Sequence, residues 1–207
     1  MSPRPQIDHI RRPQILEAAV EVICERGLRN TRISDVAERA GTSPSAVLYW
    51  FKTKEELLAQ ALVADEERFT AELEERLANV DDPAQRLLVA IDACVEDDNW
   101  TMWIELWSRS LTDESLRGER EGLDRHWRAV LARIVRDGVD SGVFDPIDAD
   151  EAALALSALI DGLAVQVTLH DPALSREGMR KICIEAAERL LGVELAPAAA
   201  PAEEVGA

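Results

Sequence analysis

Four of the five tryptophans fall between Trp100 and Trp127. Trp100, Trp103 and Trp107 stand at i, i+3 and i+7, so on a helix they share one face. Asp98 and Glu105 lie beside them, Cys94, Met102, Leu106 and Arg109 are near in sequence, and His126-Trp127 falls on the following helical stretch. Aromatic faces next to carboxylates attract an organic cation, such as a quaternary ammonium or a polyamine. The expected ligand-lining set is therefore Cys94, Asp98, Trp100, Met102, Trp103, Glu105, Leu106, Trp107, His126 and Trp127. The same stripe also suits an ordinary helical core, and both readings stand at this point.

A second set lies nearer the start: Thr31, Arg32, Thr42, Ser43, Ser45, Tyr49, Trp50 and Lys54. Short hydroxyl side chains can meet base edges in a DNA groove, and basic, phenolic and indole groups can hold phosphates. Thr42, Ser43 and Ser45 suit the first task; Thr31, Arg32, Tyr49, Trp50 and Lys54 suit the second. Catalysis finds no comparable support. The three histidines (9, 126, 170) and three cysteines (24, 94, 183) are far apart, and no G-x-S-x-G, glycine-rich phosphate loop, H-E-x-x-H or C-x-x-C occurs. No metal or cofactor is called for; the cysteines read as reduced core residues and His170 as a helix-end residue.

Charge separates the two regions. The chain carries a net charge of -17, which alone argues against a polyanionic partner. Residues 1–54, however, hold nine Lys/Arg against six Asp/Glu, a net of +3, leaving fourteen basic and thirty-four acidic residues, a net of -20, beyond them. Only the N-terminal end suits nucleic acid.

Elements that position these residues follow from periodicity and caps. Pro13 suits a first helical turn, after which Ile15, Leu16, Ala19, Val20, Ile23 and Cys24 recur at helical spacing up to Gly27. Thr31 suits the cap of a short helix with apolar face Ile33, Val36, Ala37 and Ala40, stopped by Gly41. Ser43-Pro44 starts a third helix, with Val47, Leu48 and Phe51 assigned to the head's core. Thr53 caps a long helix to about Leu77, and Pro83 starts another. Beyond the tryptophan segment, helices are expected over 113–141, with a weak point at Gly118 to Gly122, then over 148–170 and 175–191. Residues 193–207 read as a disordered tail. The fold class is all-α: a helix-turn-helix head over 1–54 on a larger helical domain over 55–192. No apolar run reaches the roughly 18 residues that span a bilayer, and no signal peptide is evident, so the expected location is the cytoplasm and no membrane partner is expected.

Residues 31–58, TRISDVAERAGTSPSAVLYWFKTKEELL, resemble the signature of TetR-family regulators. The spacing of Ala37-Glu38-Arg39-Ala40-Gly41, Ser43, Tyr49-Trp50-Phe51 and Lys54-Glu55-Glu56-Leu57 carries the resemblance. Leu48 stands where many members have tyrosine, and Trp50 where histidine or tyrosine is common. TMWIELWSRSLTDESLR is similar to the BetI-like branch of that family. The resemblance implies a ligand-responsive regulator of transcription, most simply a repressor, that binds double-stranded DNA and is released by a small-molecule effector. It also places a homodimer interface on the last two helices, about 148–191, whose Leu154, Leu156, Leu159, Ile160, Leu163, Val167, Ile182, Ile184 and Leu190 form apolar stripes. Two heads on a pseudo-palindrome supply the base pairs that one head lacks. Arg4, Arg11 and Arg12 form a basic N-terminal arm, as a solvated terminus or a minor-groove contact. A helical enzyme or an adaptor without DNA binding is the alternative; the adaptor leaves the positive head unexplained.

Overall fold

The computed structural model describes residues 5–196, with backbone only at 5–11 and 115. Among the described residues every regular element is an α-helix: α1 Pro5–Arg26, α2 Ile33–Arg39, α3 Pro44–Trp50, α4 Lys54–Leu77, α5 Pro83–Glu96, α6 Trp100–Ser110, α7 Glu114–Asp140, α8 Ala149–Thr168 and α9 Arg176–Leu191. It divides into two compact units. One comprises residues up to Ala71 together with Asp98–Arg125, and the other Glu72–Asp97 together with His126 onward.

In the first unit α1 packs on α2 and α6, and α2 on α3. Its core is one cluster that includes Ile15, Ile23, Leu28, Val36, Val47 and Phe51 from the head, Leu57 and Leu58 from α4, and Met102 and Leu106 from α6. The head's core therefore extends beyond Lys54. The short helices α2 and α3 are far below the length at which an isolated helix is stable in water, so this shared burial holds them in place.

Local chemistry accounts for the boundaries. Gly27 and Gly41 both take positive φ, +74° and +60°, which a side chain would resist. At the end of α2, the Gly41 N–H donates to Glu38 O (3.1 Å) and the Thr42 N–H to Ala37 O (2.8 Å), a Schellman motif that turns the chain into α3. Ser43 caps α3 by accepting from Ala46 N at 3.2 Å, with Pro44 in the first turn. Thr53 Oγ1 accepts from Glu56 N at 3.0 Å and caps α4. Asp82 and Asp148 cap α5 and α8 in the same way.

Three expectations about helix ends and breaks change. The cap of α2 is Arg32, not Thr31; Thr31 is buried and its hydroxyl donates to Gly27 O at 2.9 Å. The first helix begins at Pro5, which takes the first-turn position expected of Pro13, and Pro13 is exposed. The stretch Gly118 to Gly122 does not interrupt α7, since an uncrowded glycine lowers helix propensity without forbidding the helix.

In the second unit α9 packs on α8 and α5, and α5 on α8. Arg180 of α9 donates to both Asp92 carboxylate oxygens, which raises its own pKa. Residues 193–196, expected to begin a tail, pack here: Leu195 is buried, its N–H donates to Glu188 Oε1 at 2.9 Å, and Gln85 Nε2 donates to Ala196 O at 2.7 Å. Residues 197–207 of that tail, like Arg4, lie outside the described residues.

The α8 segment corrects the expectation that no stretch is apolar enough to span a bilayer. By length and composition alone this helix qualifies, with mean hydropathy 1.4 and a third of its most apolar window buried. Ala152, Ala153, Leu156, Ser157, Ile160 and Ala164 face the unit's core, whereas Leu154 is 52% exposed. Part of the apolar surface of α8 is thus exposed among the described residues.

Candidate nucleic-acid interface and effector site

On α3, Val47 and the adjoining Phe51 are fully buried, and Trp50 packs half-buried against the same core. Ser45 and Tyr49 point outward, Tyr49 at 77% exposure, and Trp50 meets the Tyr49 ring edge-to-face at 5.5 Å. Leu48 corrects the expectation that it belongs to the core: it is 45% exposed, because the i+3 step from Ser45 brings it onto the outer face. Thr42 is half-buried in the turn. Ser43 is exposed, with its hydroxyl held by the cap and by Ser45 Oγ at 2.9 Å.

Beside this helix-turn-helix, Arg26, Arg29, Arg32 and Lys54 line one open hollow, and Lys54 Nζ donates to Arg29 O at 3.4 Å. Arg32 and Lys54 are expected here from the sequence; Arg26, the last residue of α1, and Arg29, in the turn after it, are not, and their signal is that position at the helix end. Arg26 is partly neutralised by Asp35 at 3.0 Å. Burial of Thr31 removes its side chain as a phosphate contact. Arg39 is exposed but turned toward α1, bridging Glu21 and Glu25 at 2.7 Å each. That pairing lowers the Glu25 pKa, first through its hydrogen bond and then through charge. Arg12 is also committed, its guanidinium 5.7 Å from the Phe51 ring centre and bonded to Gln60. It is not part of a free arm.

On α6 the three tryptophans gather as their spacing implies: the Trp103 and Trp107 ring centres are 6.0 Å apart, and those of Trp100 and Trp107 6.5 Å apart. All three are half-buried, and Trp103 also abuts the first unit's core. Their neighbours on the other side of α6 do not join them. Met102 and Leu106 are core residues at 1% exposure. Glu105 Oε1 reaches the end of α1, where a Cβ on Gly27 would lie 3.5 Å from it. Leu106 and Arg109 line a separate cavity of about 260 Å³ with Leu28, Leu58, Leu62 and Leu116. Asp98 is exposed just before the helix.

The carboxylate that sequence reading missed is Asp65, on α4. It is 8% exposed, is ion-paired with Arg68 at 2.5 Å and accepts from Asn99 Nδ2 at 3.0 Å, next to Trp100; the adjacent Glu66 is 6% exposed. Buried acids among helical charges cannot be told from solvated ones by spacing alone. Cys94, His126 and Trp127 belong to the second unit, where Cys94 is buried, Trp127 half-buried and His126 exposed.

An outward-facing recognition helix and a basic hollow, on a chain otherwise strongly acidic, define a DNA-binding regulator of transcription. Residues 15–61 match the family described as bacterial regulatory proteins of the tetR family, and residues 83–192 match the BetI-type transcriptional repressor C-terminal family. The chain belongs to the TetR family and to its BetI-type branch. It is 28% identical over 196 residues to the transcriptional regulator BetI of Burkholderia thailandensis, covering 91% of this chain and 97% of that one. It is 26% identical to the regulator PksA of Bacillus subtilis, covering 89% and 92%. A transcriptional regulator from Saccharomonospora viridis, solved in complex with choline, superposes with a TM-score of 0.81 at 31% identity, covering 87% and 96%.

Proposed function

We propose that this regulator is a repressor that binds a pseudo-palindromic operator as a homodimer in the cytoplasm and is released by a small quaternary ammonium ligand. The observation that carries the ligand class is the clustered Trp100, Trp103 and Trp107 rings, with the buried Asp65 carboxylate one residue away through Asn99. Three ring faces supply quadrupole attraction, and the Asp65 carboxylate adds a Coulombic contribution that is reduced by the Arg68 guanidinium already paired with it at 2.5 Å. Choline in the similar protein from Saccharomonospora viridis supports the same class here. Asp98, Trp100, Trp103 and Trp107 remain the assigned contacts, joined by Asp65.

DNA contact is assigned to Ser45 in the major groove, with Tyr49, Arg29, Arg32 and Lys54 on the flanking phosphates. Dimerisation is assigned to α8 and α9, where Leu154 is 52% and Ile182 40% exposed. The ligand need only prefer the arrangement of the dimer that does not fit the operator, a coupling of about 1–3 kcal/mol.

The test is a thermal-shift and tryptophan-fluorescence titration with choline, tetramethylammonium and the neutral carba analogue of choline, repeated with operator DNA present. Stabilisation by both cations with weakening of the DNA complex supports the reading. Response to the neutral analogue alone rejects it.

A further inference from the structure

The recognition helix carries an apolar side chain on its outer face that the helix does not need for folding. Ser45, Leu48 and Tyr49 occupy i, i+3 and i+4 of α3, one continuous face opposite buried Val47. Leu48 is 45% exposed there, while the apolar groups that hold the head together, Val47 and Phe51, are at 0%. Leucine neither donates nor accepts a hydrogen bond, so it reads nothing on a base edge except shape and apolar surface. In the major groove the apolar feature that distinguishes one base from another is the C5-methyl of thymine.

We infer that Leu48 is a specificity-determining residue that packs on a thymine methyl group in each operator half-site. This rests on α3 being the recognition helix, and adds to it a base preference by contact rather than by hydrogen bonding. Ser45 and Tyr49, on either side of Leu48 on that face, supply the polar contacts that fix its register. The occupant is DNA rather than another protein surface because the same head concentrates Arg26, Arg29, Arg32 and Lys54 in one hollow.

The experiment uses the full-length protein and the tightest duplex it selects from a randomised pool. Each thymine in that duplex is replaced singly by deoxyuridine, which lacks only the methyl group. Removing one methyl at the contacted position is expected to weaken binding about fourfold, and removing both symmetry-related methyls about fifteenfold. Leu48→Ala, whose melting temperature is expected to match the parent, binds the thymine and deoxyuridine duplexes equally. If a duplex is selected but no methyl matters, or Leu48→Ala keeps the sensitivity, the inference falls while α3 stands. If no duplex is selected at low salt, or Tyr49→Ala and Leu48→Ala both bind as the parent does, the reading of α3 falls and takes the inference with it.

Discussion

Asn99 donates its side-chain amide to Asp65 at 3.0 Å while its carbonyl oxygen accepts from Cys24 Sγ at 3.2 Å. One residue at the start of the tryptophan helix thereby joins α1, α4 and α6 within a single unit. Asp65 is only 8% exposed, so a donor lost there is not replaced freely by water. Replacing Asn99 with Leu is expected to lower stability by about 1–3 kcal/mol, read as a lower urea midpoint at fixed protein concentration. An unchanged midpoint would show that the linkage carries no energy.

Lys54→Ala and Tyr49→Ala are expected to weaken operator binding without altering the melting temperature, since Tyr49 is 77% exposed and Lys54 makes only a 3.4 Å bond to a loop carbonyl. Their signatures differ. Loss of a cationic phosphate contact should reduce the slope of log affinity against log salt by about one for Lys54→Ala, whereas Tyr49→Ala removes no cation and should leave it nearly unchanged. Identical slopes for parent and Lys54→Ala would remove that lysine from the phosphate contacts.

Introducing charge on the open face of the last two helices tests the dimer. Leu154→Glu and Ile182→Glu alter residues at 52% and 40% exposure, so the single-chain core is untouched. Burying an unpaired carboxylate in an apolar interface costs several kcal/mol, enough to yield a monomer by sedimentation equilibrium. A dimer that persists in both variants places the interface elsewhere.

Gly138 owes its place to the ring of Phe144. A Cβ at position 138 would run into that ring, which is 3% exposed at the start of the loop into α8. Gly138→Ala is expected to cost about 1–3 kcal/mol despite the better helix propensity of alanine, seen as a fall in melting temperature. A rise would mean that Phe144 moves aside without penalty.

Alkaline pH provides a separate handle on the second unit. Burial pushes the Cys183 thiol up from 9.0 to about 11. The folded state therefore favours the neutral thiol, a stabilisation that is complete below pH 9.0 and lost as pH rises to about 11. Over that window the loss amounts to about 2–3 kcal/mol. Comparing urea stability of parent and Cys183→Ala at both ends of it should give a smaller decline for the variant; parallel declines would mean that the thiol ionises as freely as in water.

Most of the secondary structure was written locally. Ser43-Pro44, Thr53 and Asp82-Pro83 satisfy or remove backbone donors within three residues of themselves, and Gly27 and Gly41 supply positive φ, so the helix ends needed no distant partner to be legible. The head was legible for the same reason, as was the shared face of Trp100, Trp103 and Trp107, which depends only on helical period. What lies on a face is another matter. Leu48 fits the apolar pattern of its helix yet is exposed, Thr31 has the chemistry of a cap yet is buried, and Asp65 stands in the acidic run Asp65-Glu66-Glu67 yet meets Asn99 thirty-four residues away. Burial and partner choice depend on which segments arrive from elsewhere in the chain, and only tertiary packing decides that.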